Sequence, residues 1–159
     1  MHGFQNIAMT KIAFFLMMLV CFTACKKDKD DRLEENILEI EQYIIDNDLN
    51  DLGIVQKTES GLHYIVQKEG DGMFPTSESV VKVRYRGFLT DNSIFDQNPN
   101  FETPLSNVIE GWQEGIPKFS RGGSGLLLIP SKLGYGSRGA GSTIPGYAVL
   151  IFEIELLDF

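Results

Sequence analysis

The chain has 159 residues, of which 43% are hydrophobic and 11% aromatic, and its formal net charge is −8. This composition indicates one globular domain with additional sequence, and the acidic balance argues against nucleic acid as a partner because phosphates would be repelled. Cys21, Cys25 and His2 all lie near the amino terminus, so the rest of the chain holds no thiol and one histidine, His63. Zinc clusters, disulfide scaffolds and thiol catalysis are therefore excluded from the predicted domain, and no metal site or cofactor is expected. We assign no functional role to His63.

A targeting segment is predicted at the amino terminus. Lys11 precedes the short apolar run of residues 12–20, and Ala24-Cys25 follows it. A basic residue, a short apolar stretch and a small residue before a cleavage point are typical of a secretory signal. Cys25 resembles the acylated cysteine of bacterial lipoproteins, which implies a signal peptide over residues 1–24 and an outer-membrane lipoprotein of the cell envelope. A cleaved signal with an incidental cysteine is the alternative.

An acidic arm with helical periodicity follows, over residues 25–51. Its apolar side chains recur at intervals of four, three and four, at Leu33, Ile37, Ile40 and Ile44, with Leu38 and Ile45 alongside. This spacing predicts an amphipathic helix whose start Asp30 or Asp31 can cap. Because an isolated helix of this length is marginal in water, its stripe needs a partner surface. The helix packs on its own domain, pairs with a second arm in a homodimer, or serves as a solvated spacer.

From residue 52 to residue 159 the pattern predicts a separate β-rich domain. Strands are expected over residues 62–67, 80–89, 125–129 and 150–157, with one short helix over residues 111–117. The last strand is the clearest, since its apolar residues alternate with Glu153 and Glu155 as in a half-buried antiparallel strand. The predicted fold class is α+β, an antiparallel sheet with one short helix behind a helical arm.

Three segments of this domain resemble the FK506-binding-protein (FKBP) family of peptidyl-prolyl cis-trans isomerases. They are Val83-Arg84-Tyr85-Arg86-Gly87 with Ser93-Ile94-Phe95-Asp96, the run from Val108 to Gly115, and Leu133-Gly134-Tyr135-Gly136 followed by Ile144-Pro145 and the terminal strand. Each segment alone is weak evidence for the resemblance, but together the segments occur in the family's order over about residues 58–159. The resemblance implies a twisted antiparallel sheet wrapped around one short helix. It also implies catalysis of rotation about X–Pro bonds, a reaction that needs no nucleophile.

The resemblance assigns catalytic roles to four residues. Tyr85 and Phe152 are expected as aromatic walls, and Asp96 as the polar residue beside Tyr85. Tyr135 is expected to donate its hydroxyl group to the substrate carbonyl. All of them would surround Trp112, which is expected as the floor beneath the proline ring.

The remaining predicted site residues bind substrate. Phe95 and Phe101 are expected as further aromatic walls, although a single phenylalanine of this kind is more often an ordinary core residue. Val108 and Ile109 end the segment before the helix, and the backbone N–H of Ile109 is expected to bond the ligand. Ile144 is expected to cap the pocket from the loop after Tyr135.

Three departures from the family pattern bear on affinity. Leu133 and Thr103 stand where many relatives have an aromatic residue, and Ala140 where some have histidine, within the small, glycine-rich loop of residues 137–143. We therefore expect a pocket whose floor is intact but whose affinity for substrates or FK506-like macrolides is weaker.

The resulting hypothesis is a lipid-anchored isomerase that acts on proline-containing envelope proteins. Its anchored layout is similar to that of isomerase lipoproteins of Bacteroidota, some of which belong to gliding-motility machinery. The alternative is a non-catalytic binding or chaperone module of an envelope or motility complex, which has kept the fold.

Overall fold

The structure is a computed structural model that describes residues 30–159. The predicted signal peptide and Cys25 lie outside these residues. The chain divides into a unit that ends at Arg32, of which only the start of a helix is described, and a compact unit from Leu33 to Phe159. Within the described part, no helix is both long and apolar enough to cross a membrane.

Two α-helices and six strands make up the described chain. In order they are α1 (Asp30–Asp46), β1 (Gln56–Lys57), β2 (His63–Lys68), β3 (Val80–Phe88), β4 (Ile94–Pro104), α2 (Glu110–Gly115), β5 (Ser124–Ile129) and β6 (Leu150–Asp158). Short 3₁₀ turns occupy Leu49–Leu52, Leu105–Asn107, Ile116–Lys118, Ser131–Leu133 and Gly136–Arg138. The strands form one antiparallel sheet in the order β1-β2-β5-β6-β3-β4. The predicted α+β class is thereby confirmed.

One face of the sheet, called here the front face, packs against α2 and holds the larger core. The predicted alternation of β6 is confirmed, because Leu150, Phe152, Ile154 and Leu156 all belong to this core. Ile151, between them, is buried on the opposite back face. Successive side chains of a strand point to opposite faces, so β6 contributes to two cores at once.

Two glycines let α2 lie directly on β5. A Cβ atom at Gly111 would overlap the side chain of Ile129, and one at Gly115 would lie 2.7 Å from both Leu127 Cδ atoms. Glycine weakens a helix interior, so its presence at both positions is explained by this close approach rather than by helix propensity. The contact fixes Trp112, which lies between the two glycines, against the front face.

The back face is covered by α1. Ile40, Tyr43 and Ile44 are buried in a second core together with back-facing residues of the sheet, which are Ile65, Phe88, Leu126, Leu128 and Ile151. Full burial of an aliphatic side chain stabilises by about 1.5–3 kcal/mol. The predicted stripe therefore packs on its own sheet, which is the first of the three alternatives. The helix from Leu33 onward belongs to the same compact unit as the sheet.

Strand β4 was not expected from the sequence. It is an edge strand, paired only with β3, and its register with β3 shifts twice, once near Pro99 and once at Phe95. Proline is tolerated on an edge strand because no neighbour needs its missing N–H group. The polar run at residues 96–100 resembles a turn, but the edge position makes it compatible with a strand.

Candidate active site

A cavity of about 150 Å³ opens on the front face between α2, the sheet and the loop before β6. Nine of the ten predicted site residues line it. They are Tyr85, Phe95, Asp96, Phe101, Val108, Ile109, Trp112, Tyr135 and Phe152.

Trp112 forms the centre of an aromatic cluster. Its ring centroid lies 5.0 Å from that of Tyr85 and 5.2 Å from that of Phe152, and both pairs are edge-to-face. Its indole Nε1 is the one buried side-chain nitrogen or oxygen atom among the described residues without a hydrogen-bond partner. A buried donor without an acceptor costs about 1–3 kcal/mol. Stability alone therefore does not explain a tryptophan here, which favours a functional floor over ordinary core.

The polar side of the cavity is built on β3 and β4. Tyr85 donates its hydroxyl to Asp96 Oδ2 at 2.7 Å. Burial, with the hydrogen bond and the negative charge of Asp96, raises the pKa of Tyr85 well above its usual value of 10.0. The hydroxyl therefore stays protonated, and Asp96 stays fixed beside the aromatic cluster.

Two groups at the rim can donate to a bound carbonyl oxygen. Tyr135 is 41% exposed, and burial together with the charge of Asp96 raises the pKa of its hydroxyl, which keeps the proton available. Ile109 precedes α2, and its own carbonyl accepts hydrogen bonds from the N–H groups of Trp112 and Gln113. Its N–H group has no acceptor among the described residues.

Gly87 is a site-forming residue that the sequence analysis missed. It lies in β3, paired with Asp96 on one side and Phe152 on the other. A Cβ atom here would lie 2.6 Å from two ring atoms of Phe95 and 2.8 Å from Phe152 Cε1. The two rings stand edge-to-face with centroids 5.4 Å apart because Gly87 leaves them space. A glycine in the middle of a predicted strand was the available signal.

Ile144, the tenth predicted residue, does not line the cavity. It is buried in the front core, and its backbone forms a bridge with Ala140 through two hydrogen bonds. Leu133 and Thr103 are also buried and away from the cavity. These two departures from the family pattern therefore leave the cavity lining itself unchanged.

His63 lies in β2 and is buried. Its Nδ1 atom is 3.0 Å from the carbonyl oxygen of Gly61. Burial lowers the pKa of the imidazole, and the nearby charge of Lys57 contributes to the same effect. His63 is therefore a buried residue of β2 that does not line the cavity.

A larger open cavity of about 820 Å³ lies on the back face, beside the end of α1. Its floor carries two cross-strand ion pairs, Arg84 with Glu155 and Arg86 with Glu153. The lining shares only Tyr85 with the predicted site, and its mixed polar character differs from that of the aromatic cup.

The fold and the front cavity define a class of protein: an α+β domain whose antiparallel sheet holds an aromatic cup against one short helix. The family model described as FKBP-type peptidyl-prolyl cis-trans isomerase matches residues 72–157. The chain belongs to this family, and the resemblance inferred from its motifs is confirmed.

Individual relatives agree in sequence and in fold. The chain is 43% identical over 139 residues to the FKBP-type isomerase FkpA of Aeromonas hydrophila, a match that covers 85% of this chain and 50% of that protein. It is 40% identical over 105 residues to FK506-binding protein 1 of Dictyostelium discoideum, covering 62% of this chain and 98% of that protein. The crystal structure of FkpA from Escherichia coli superposes with a TM-score of 0.69 at 32% identity, over 98% of this chain and 72% of that one. The chain spans about half the length of the curated bacterial relatives it matches.

Proposed function

We propose that this protein is a peptidyl-prolyl cis-trans isomerase that accelerates rotation about X–Pro bonds in client proteins. The observation that carries the proposal is the aromatic cup over Trp112, with the Tyr85–Asp96 hydrogen bond on its polar side. Membership of the isomerase family supports the same activity.

The chemistry suits a cup without a nucleophile. Rotation about a peptide bond faces a barrier of roughly 18–20 kcal/mol because twisting removes amide resonance. The cis and trans forms of an X–Pro bond differ by only about 0.5–1 kcal/mol, so a catalyst needs to lower the barrier and nothing more. A twisted amide carries less charge on its oxygen than a planar one. A water-poor aromatic site therefore binds the twisted state better than the planar state, which is transition-state stabilisation.

The residues at the rim orient the substrate in this scheme. The proline ring rests on Trp112 between the aromatic walls, and the N–H of Ile109 and the hydroxyl of Tyr135 hold carbonyl oxygens on either side of the rotating bond. Fixing one side of the bond while the other turns reduces the entropy lost in reaching the transition state. Asp96 acts by holding Tyr85 in place.

A protease-free isomerisation assay on an Ala-Phe-Pro peptide tests the proposal with the full chain in detergent. We expect the cis-to-trans rate to rise in proportion to protein concentration. Trp112→Ala removes the floor and should abolish most of the increase, whereas Leu38→Ala, on the exposed side of α1, should retain it. A wild-type rate equal to the uncatalysed rate would refute the isomerase proposal.

A non-catalytic binding module of an envelope or motility complex is the second candidate. It is favoured by the loop of residues 137–143, whose small side chains offer little surface to hold a substrate. Trp112 is the single tryptophan of the chain, so its fluorescence reports on the occupation of the cup. A proline peptide or FK506 that changes this fluorescence, without any acceleration of isomerisation, would establish the binding module instead.

The proposed cellular setting is the envelope, with a lipid anchor at Cys25. The support is the apolar run of residues 12–20 followed by Ala24-Cys25. A Cys25→Ser variant should leave the membrane fraction or stay unprocessed, and should lose fatty-acid labelling. Labelling that persists in this variant would contradict an anchor at Cys25.

A further inference from the structure

Asn36 makes an unusual set of contacts for a residue of a surface helix. Its side chain is 4% exposed and lies between α1 and the rest of the compact unit. Its Oδ1 atom accepts hydrogen bonds from the backbone N–H of Ser131 at 3.0 Å and from the Ser131 hydroxyl at 2.6 Å. Its Nδ2 atom donates to the backbone carbonyl of Tyr147 at 3.1 Å.

These two partners are the ends of one connection. The segment of residues 130–149 joins β5, which ends at Ile129, to β6, which begins at Leu150. Ser131 stands at its start and Tyr147 near its end, so one amide group holds both. The connection carries Tyr135, the rim residue that lines the cavity.

Each end is linked onward to the immediate neighbours of Tyr135. The N–H of Tyr147 donates to the carbonyl of Gly136 at 2.8 Å, and the N–H of Gly134 donates to the carbonyl of Ser131 at 3.0 Å. The residues directly before and after Tyr135 are thus each one hydrogen bond away from a residue that Asn36 holds.

The backbone conformation of Tyr147 is a second reason why the connection needs the hydrogen bond from Asn36. Its φ is 65°, in the left-handed region that residues with a side chain rarely adopt. A strained conformation persists only where its surroundings fix it. At Tyr147, both peptide groups are engaged, the N–H by Gly136 and the carbonyl by Asn36.

We propose that Asn36 is a positioning residue for the cavity: it fixes both ends of the 130–149 connection and thereby sets the place of the Tyr135 hydroxyl. This inference rests on the proposed isomerase function. It makes α1 a structural part of the active site, in addition to its role as the cover of the back face.

The experiment compares Asn36→Ala with Ile40→Ala in the full chain, using the Ala-Phe-Pro peptide. Ile40 is fully buried on α1 in the back core and its side chain cannot form hydrogen bonds, so its truncation weakens the docking of the helix but removes none of the three hydrogen bonds between Asn36 and the connection. We expect Asn36→Ala to lower kcat/KM at least fivefold and Ile40→Ala to change it less than twofold. Equal losses in the two variants would mean that Asn36 acts through stability alone and would overturn the proposal.

A double-mutant cycle with Tyr135→Phe tests whether the effect passes through Tyr135. If Asn36 positions this hydroxyl, Asn36→Ala should lower kcat/KM less than twofold in the Tyr135→Phe background, where the hydroxyl is absent. The effects of two substitutions at coupled residues are not additive. The same fivefold loss in both backgrounds would overturn the proposal. If Asn36→Ala does not fold, Ser131→Ala, which removes one of the three hydrogen bonds, should give a smaller loss with the same non-additivity.

Amide hydrogen exchange separates this inference from the proposed function. Should the wild-type chain prove inactive, the isomerase proposal fails, but exchange at the Tyr147 N–H still reports on the connection. We expect this amide to exchange at least tenfold faster in Asn36→Ala than in Ile40→Ala. Equal exchange rates in the two variants would overturn the positioning role.

Discussion

Replacing Gly87 by alanine tests how closely the cup is fitted. The added Cβ would lie 2.6 Å from the Phe95 ring and 2.8 Å from the Phe152 ring. Carbon atoms in contact stay about 3.5–4.0 Å apart, so each ring has to move by roughly 1 Å. The φ of Gly87 is not positive, so alanine suits its backbone and the rings alone are perturbed.

The expected cost follows from this overlap. Overpacking of a core destabilises by about 1–3 kcal/mol, and each kcal/mol lowers the Tm of a domain of this size by about 2–4 °C. Since the displaced rings are walls of the cavity, kcat/KM should also fall, by roughly tenfold if about 1.4 kcal/mol of the loss is felt in the transition state.

A matched control separates the two effects. Ile65 is fully buried in the back core and does not line the cup, and Ile→Val at such a position costs about 0.5–1.5 kcal/mol. Thermal unfolding and the isomerisation assay are applied to both variants. If Gly87→Ala lowers the Tm but, like Ile65→Val, keeps kcat/KM within twofold of wild type, the claim that this glycine shapes the site is refuted.

Four further predictions concern α1, His63 and Tyr85. Ile44→Ser should lower the Tm and leave the mass in sedimentation unchanged, because α1 is docked on its own sheet; a loss of dimer mass would indicate paired arms instead. Burial lowers the pKa of His63 below 6.5, so at acidic pH the unfolded state binds more protons than the folded state. Urea unfolding should therefore show that the free energy of unfolding decreases as the pH is lowered below about 6.5, and His63→Gln should make this decrease smaller. An equal decrease in both proteins would contradict this prediction. Tyr85→Phe loses the hydrogen bond to Asp96, worth about 0.5–1.5 kcal/mol, and should lower kcat/KM by roughly two- to tenfold without abolishing it. Because the pKa of Tyr85 is raised above 10.0, the wild-type kcat/KM should stay flat to about pH 9, and an alkaline loss below that pH would contradict this reasoning.

The sequence predicted four of the six strands and missed the two-residue strand β1 and the edge strand β4. In β6, residues of the front core alternate with back-facing residues, and the middle of the back-facing side carries Glu153 and Glu155. β4 has no such alternation, since it lies at the edge of the sheet and its register shifts twice. An alternating pattern of apolar residues arises where one face of a strand is buried, and an exposed, bulged edge strand buries too few side chains to produce that pattern.

The residues that line the cavity were predictable because their motifs occur in the same order along the chain as in the FKBP family, and no single residue would have identified them. Phe95 and Phe152 taken alone are indistinguishable from core phenylalanines, and both do pack against the front core. Gly87 and Asn36 escaped prediction because their roles depend on distant partners. Asn36 contacts residues 95 and 111 positions away along the chain. The sequence did contain one indication of this role, because Asn36 is a polar residue that lies four positions before Ile40, on the apolar stripe of the helix.

The docking of α1 illustrates what a hydrophobic stripe specifies. The stripe predicts only that some surface covers it, so a second arm and the chain's own sheet were equally compatible with its periodicity. The deciding information lay in β5, where Leu126, Leu127, Leu128 and Ile129 are consecutive and all buried. A strand that is apolar on both faces must be covered on both. The short helix α2 covers only the front, which leaves the back of β5 for the arm. Removing the arm would therefore expose Leu126 and Leu128 as well as release Asn36 from the connection that carries Tyr135.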